Sequence, residues 1–105
     1  MATDVAEQPG TPASGNGDTG TNAPDAAESI LAMRERIDEI DNELIALWQE
    51  RARLSQRVGA TRLASGGTRL VLSREREIVD RFRTALGADG TQLALLILRA
   101  GRGPL

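Results

Sequence analysis

The chain contains no cysteine, no histidine and no lysine, and its aromatic residues are one Trp and one Phe. Without cysteine there is no disulfide and no thiolate chemistry. Without histidine as well, a structural zinc site lacks its usual ligands, and Ser-His-Asp or Cys-His nucleophilic mechanisms lose their base. No segment approaches the roughly 20 consecutive apolar residues of a membrane span, and no apolar stretch near the start resembles a signal-peptide core. These absences predict a cytoplasmic protein with no membrane partner, no metal and no cofactor.

What is present is arginine, which supplies all thirteen basic residues. Residues 1–27 contain none of them, and hold Pro9, Pro12, Pro24, several Gly, Ser and Thr, and the acids Asp4, Glu7, Asp18 and Asp25. Such a segment cannot bury enough surface to fold, so it reads as a disordered tail ahead of a helical domain over residues 28–105. The whole chain has a net charge of −2, whereas residues 28–105 set 13 Arg against 11 acids. That balance is too mild for a nucleic-acid binder driven by phosphate neutralisation. Compositional bias toward Ala, Arg and Gly accounts for most of the arginines on solvated faces, such as Arg36, Arg53 and Arg57.

It does not account for Arg51. Ile30, Met33, Ile37, Ile40, Leu44 and Leu47, then Leu54 and Val58, step by threes and fours as the buried stripe of a long helix does, and Arg51 stands within that seam. A guanidinium taken out of water without a partner costs several kcal/mol on the order-of-magnitude scale for buried ions, so Arg51 needs a carboxylate or phosphate. The helix is predicted from near Asp25 to about Leu63, roughly 58 Å at 1.5 Å per residue, longer than the rest of this small chain can cover. A second copy of the chain is the natural cover, and a homodimer is expected.

Ser65, Gly66 and Gly67 break the chain between Ala64 and Leu72. Ser73 is predicted to cap a second helix with Glu75 and Glu77 in its first turn and Ile78, Phe82 and Leu86 as its apolar stripe, ended by Gly87. Asp89 and Gln92 have the spacing of a capping box for a third helix, whose run Leu93 to Leu98 should be buried. Arg99 to Pro104 then reads as a short irregular tail. No strand pattern is visible, and the predicted class is all-α: three helices, one long and two short.

Spacings of four, seven and eleven residues put Arg51, Ser55, Val58 and Arg62 on one helix face, with Arg51 and Arg62 about 16 Å apart along the axis. Two long side chains can close that gap around a small dianion. Arg34 lies about 25 Å from Arg51 on the same helix and can reach such a ligand only from a partner chain. Plainer readings stand beside these. Arg51 can set dimer register by pairing with an acid such as Glu43 or Asp41 of another helix, Arg74 can bridge Glu77 or Asp80 in solvent, Glu75 can be a helix-start carboxylate, and Arg34 and Arg62 can be surface charges.

The run MRERIDEIDNELIALWQERARLSQRVGATR, followed after the glycine loop by LVLSREREIV, resembles the all-α (AroQ-class) chorismate mutases. Their pattern is an Arg near the start of a long helix, an Arg seventeen residues later, a Lys or Arg eleven further on, and an Arg-Glu pair opening the second helix. The likeness covers residues 29 to about 86. The SGGTRLV loop, the short third helix and the LRAGRGPL ending look like the small actinobacterial subgroup of that family.

The resemblance implies an intertwined, domain-swapped homodimer with two active sites that convert chorismate to prephenate. Carried over to this sequence, the partner's Arg34 and Arg51 hold the two substrate carboxylates, Arg62 contacts the enolpyruvyl side and ether oxygen, Glu75 accepts the ring hydroxyl, and Arg74 orients the surrounding groups. Val71 occupies a place where better-known members have an Asp, and the chain ends near where their third helix supplies a Gln. In the subgroup such losses accompany low activity alone and activation by 3-deoxy-D-arabino-heptulosonate 7-phosphate (DAHP) synthase. The resemblance therefore assigns Gly101 and Arg102 to partner docking and site closing. The alternative from a different class is a non-catalytic helical dimerisation or adaptor module in which Arg51 only sets register.

Overall fold

The computed structural model describes residues 18–103, and these are all-helical: α1 (Pro24–Ala64), α2 (Leu72–Leu86) and α3 (Ala88–Arg102). Most of the expected amino-terminal tail, residues 1–17, lies outside the described residues, as do Pro104 and Leu105. The chain divides into two units, Met1–Glu43 and Leu44–Leu105, with α1 contributing to both.

In the first unit, Pro24 opens α1, where its missing N–H and fixed φ are no handicap. Ahead of it the Ala23 N–H donates to Thr21 Oγ1 at 3.2 Å, and the Ala27 N–H closes the first turn onto Ala23 O at 2.9 Å. Ala27 is buried, and Arg34 Nη2 reaches back to donate to Asp18 O at 2.9 Å.

The second unit holds the core, in which Ile78 of α2 packs with Ala94 and Leu98 of α3, flanked by Val79 and Phe82. Burying an Ile or Leu side chain contributes about 1.5–3 kcal/mol, so this small cluster is the main cement between α2 and α3. The two helices approach closely because residue 90 is glycine: a Cβ there would collide with the Phe82 carbonyl oxygen. One residue, Gly87 at φ 77°, both ends α2 and starts α3; its N–H donates to Arg83 O at 2.7 Å and its carbonyl accepts from Gly90 N at 2.9 Å.

Four expectations are corrected here. Ser73 is not the cap of α2: Val71 is, in extended conformation, and its carbonyl accepts from Arg74 N and Glu75 N, so Ser73 already lies inside the first turn. Asp89 and Gln92 form no capping box for the same reason, because the helix starts at Ala88 with Gly87 as N-cap and no side-chain cap bond. Residues 99–102 are not irregular: α3 runs to Arg102 and stops at Gly103, at φ 71°, whose N–H donates to Arg99 O. The run Leu93 to Leu98 is covered only on the face of Ala94 and Leu98, while Leu93, Leu95 and Leu96 are exposed within the single chain.

The seam of α1 is open as well. Met33, Ile37, Ile40, Leu44, Leu47, Leu54 and Val58 are all between 38% and 60% exposed. Among the described residues, no helix is long and apolar enough to cross a membrane.

Candidate active site

Four residues of α1 in the second unit, Arg51, Leu54, Ser55 and Val58, with Arg62 one turn on, face α2 and α3 across a cavity of about 270 Å³. From α2 and its cap come Val71, Arg74, Glu75 and Ile78, and from α3 comes Leu98. The helical period explains the α1 contribution, since steps of three and four keep these side chains on one face. Arg74, Glu75 and Ile78 repeat the device on α2. The lining therefore combines apolar side chains with three arginines and one glutamate.

Arg51 is half-buried, and its Nη1 is fully enclosed with no hydrogen-bond partner. Desolvation by burial pushes its pKa below the ordinary arginine value, and the positive charges of Arg74 and Arg81 push it further the same way. Among the described residues no acid is bonded to it. An enclosed, charge-crowded guanidinium without a counter-ion is what an anion-binding site looks like before its ligand arrives.

The other expected residues are placed as follows. Arg62 lines the cavity but is held from outside it, its Nε donating to Thr68 O at 3.0 Å and its Nη2 to Arg69 O at 2.9 Å, so that it pins the loop between α1 and α2. Arg74 also touches Glu77 at 3.5 Å in an exposed pair, the solvent bridge foreseen from spacing, and still faces the cavity. Val71 presents only methyl groups. Arg34 belongs to the first unit and lines no cavity of the second.

A second cavity of about 350 Å³ adjoins the first, sharing Ser55, Arg62, Glu75 and Leu98 with it and adding Gln56, Arg69, Gly101 and Arg102. Across it, Arg102 Nη1 donates to both oxygens of Glu75, at 3.2 and 3.3 Å. Arg81, which adds to the positive field at Arg51, was missed by the sequence reading. The available signal was its spacing of seven from Arg74, two turns along one face of α2. Among the described residues no group of acids is arranged to hold a metal ion.

Residues 33–96 match the family model "Chorismate mutase type II". The chain belongs to the type II chorismate mutase family. It is 49% identical over 81 residues to the intracellular chorismate mutase of Mycolicibacterium smegmatis, covering 77% of this chain and 78% of that one. To the intracellular chorismate mutase of Mycobacterium tuberculosis it is 52% identical over 76 residues, covering 72% and 71%. Among solved structures it is similar, with a TM-score of 0.70 and 44% identity over 74% of this chain and 94% of the other, to a complex from Corynebacterium glutamicum. That structure is a non-covalent complex of DAHP synthase and chorismate mutase with a bound transition state analog.

A chorismate mutase is an isomerase, and its rearrangement of chorismate to prephenate is unimolecular. The ether C–O bond breaks as a C–C bond forms within one cyclic array, and no proton, nucleophile or metal takes part. The protein's task is to hold the dianionic substrate in a compact conformer and to set positive charge beside the ether oxygen as it gains electron density. The fold's three-helix, all-α form agrees with the expectation, and Arg51, Arg62, Val71, Arg74 and Glu75 line one cavity.

Proposed function

We propose that this chorismate mutase carries out its rearrangement in the cavity beside Arg51, with Arg51 and the partner's Arg34 holding the two carboxylates of chorismate. Arg62 supplies charge at the ether oxygen and enolpyruvyl side, Glu75 accepts the ring hydroxyl, and Arg74 orients these groups. The observation that supports this most is the enclosed Nη1 of Arg51, which has no hydrogen-bond partner among the described residues. A charge-assisted bond to a substrate carboxylate contributes roughly 1.5–3 kcal/mol and removes the cost of leaving that donor unsatisfied.

The active form is an intertwined homodimer of the helical domain, preceded by an acidic tail that ends where α1 begins at Pro24, four residues before the boundary expected from composition. The support is the open seam of α1: each exposed Leu, Ile or Met forgoes about 1.5–3 kcal/mol that burial against a second chain would return. Two sites per dimer follow from two-fold symmetry.

The chain is weak alone and activated by DAHP synthase, acting in the cytoplasm on the route to phenylalanine and tyrosine. Two features support weak activity alone: Val71 has no hydrogen-bonding group, and two donors of Arg62 are engaged by loop carbonyls. The complex of the Corynebacterium glutamicum relative with DAHP synthase supports the partner, and Gly101 and Arg102 are the residues assigned to docking. The mycobacterial relatives' designation as intracellular supports the compartment.

The test is loss of the ultraviolet absorbance of chorismate on incubation with the purified chain, alone and with the DAHP synthase of the same organism. Slow loss alone and fast loss in the mixture is expected. No loss in either condition contradicts the activity, and equal rates contradict activation.

A further inference from the structure

The Arg102–Glu75 ion pair sits on the boundary between the two cavities. Glu75 lines both, whereas Arg102 lines only the second and not the one that contains Arg51. We propose that Arg102 is a positioning residue for the reaction, holding the Glu75 carboxylate from behind so that its free edge faces the substrate. The proposal rests on the reading of Glu75 as acceptor for the ring hydroxyl.

A glutamate has three side-chain torsions, and an unheld Glu75 would sample positions in either cavity. Arg102 Nη1 contacts Oε1 and Oε2 almost equally, at 3.2 and 3.3 Å, which fixes the carboxylate through one donor and leaves its remaining lone pairs unused by that contact. The two side chains are 24% and 22% exposed, against 58% and 68% for Arg74–Glu77 and 59% and 66% for Arg83–Asp80. Solvent therefore screens this pair least, and it can hold a geometry where the surface pairs cannot. Its burial has a cost, visible in the enclosed and unpartnered Nε of Arg102.

The backbone is shaped to deliver that side chain. A Cβ on Gly101 would stand 2.6 Å from Ser55 Oγ and 2.8 Å from Ser55 Cβ, so only glycine lets the last turn of α3 lie against α1 at this point. Gln56 Nε2 donates to Ala100 O at 3.2 Å and secures the same turn. Gly101 and Arg102 lie beyond residue 96, where the family match ends, so the device is additional to what the family model covers.

The test is steady-state turnover of chorismate by the full chain without the synthase, where docking cannot contribute. Arg102→Gln is expected to lower kcat/KM about tenfold, the size of effect that losing a positioned polar contact produces, and Arg102→Lys to recover most of it. Because Arg102 acts through Glu75, adding Arg102→Gln to Glu75→Gln should produce no further loss, whereas a merely structural role would make the two losses multiply. Thermal melting of each variant reports folding, and Arg102→Lys carries the comparison if Arg102→Gln does not fold. An unchanged or raised kcat/KM in Arg102→Gln, multiplying losses in the double variant, or failure of Arg102→Lys to outperform Arg102→Gln overturns the inference alone. Absence of turnover in the unaltered chain overturns the reading of the site and this inference with it.

Discussion

Arg51 carries a cost that nothing among the described residues relieves. Its pKa is pushed below the ordinary arginine value because burial disfavours the cation and because Arg74 and Arg81 repel it. For a base, the sign is clear: below its lowered folded-state pKa both folded and unfolded chains are protonated, and the folded state bears the whole penalty. The penalty fades only as pH rises from that value toward the ordinary arginine value, so it is fully present near neutrality. Arg51→Leu should therefore fold as stably as the unaltered chain or more so, by up to about 1–2 kcal/mol, in a urea titration followed by circular dichroism. A marked loss of stability would mean that Arg51 is paired with an acid. The inward placement of Arg51 was legible in the sequence, because a charge within a repeating apolar seam has no other direction to point. The engagement of Arg62 by Thr68 O and Arg69 O was not, since it depends on how the glycine loop folds back, which spacing does not encode.

The helices were legible where their signals are periodic and obscure where they are local. The long run of apolar threes and fours and the Ser-Gly-Gly break located α1 and its end to within a residue or two. The caps were misread because Ser73 and Asp89 satisfy a composition rule from positions two residues too far inside, while Val71 and Gly87 cap the helices through backbone carbonyls alone. The end of α3 was misread because Gly101 looks like a breaker. In a free helix it costs about 1 kcal/mol relative to alanine, but here it is needed for the close passage against Ser55. Gly101→Ala should accordingly destabilise the chain by about 1–3 kcal/mol despite the better helix propensity, seen as a lower melting temperature. A rise in melting temperature would show that the contact yields freely.

For the whole molecule, the apolar seam of α1 and several leucines of α3 are exposed in the single chain, which is the basis of the proposed homodimer. Sequence length against the small amount of remaining chain already implied a second copy, although no spacing rule distinguishes an intertwined dimer from a packed one. Mixing equal amounts of unfolded Arg34→Ala and Arg51→Ala chains and refolding them together tests the shared site. If each site takes Arg51 from one chain and the partner's Arg34, half the dimers are mixed and each has one intact site, giving about a quarter of unaltered activity. No recovery in the mixture would confine each site to one chain. The central claim, that the Arg51 cavity rearranges chorismate, is tested most directly by the initial rate of chorismate loss for the unaltered and Arg51→Leu chains, each saturated with DAHP synthase. The account predicts turnover by the first and a fall of at least about a hundredfold in kcat/KM for the second, with its fold retained. Equal rates for the two chains would contradict it.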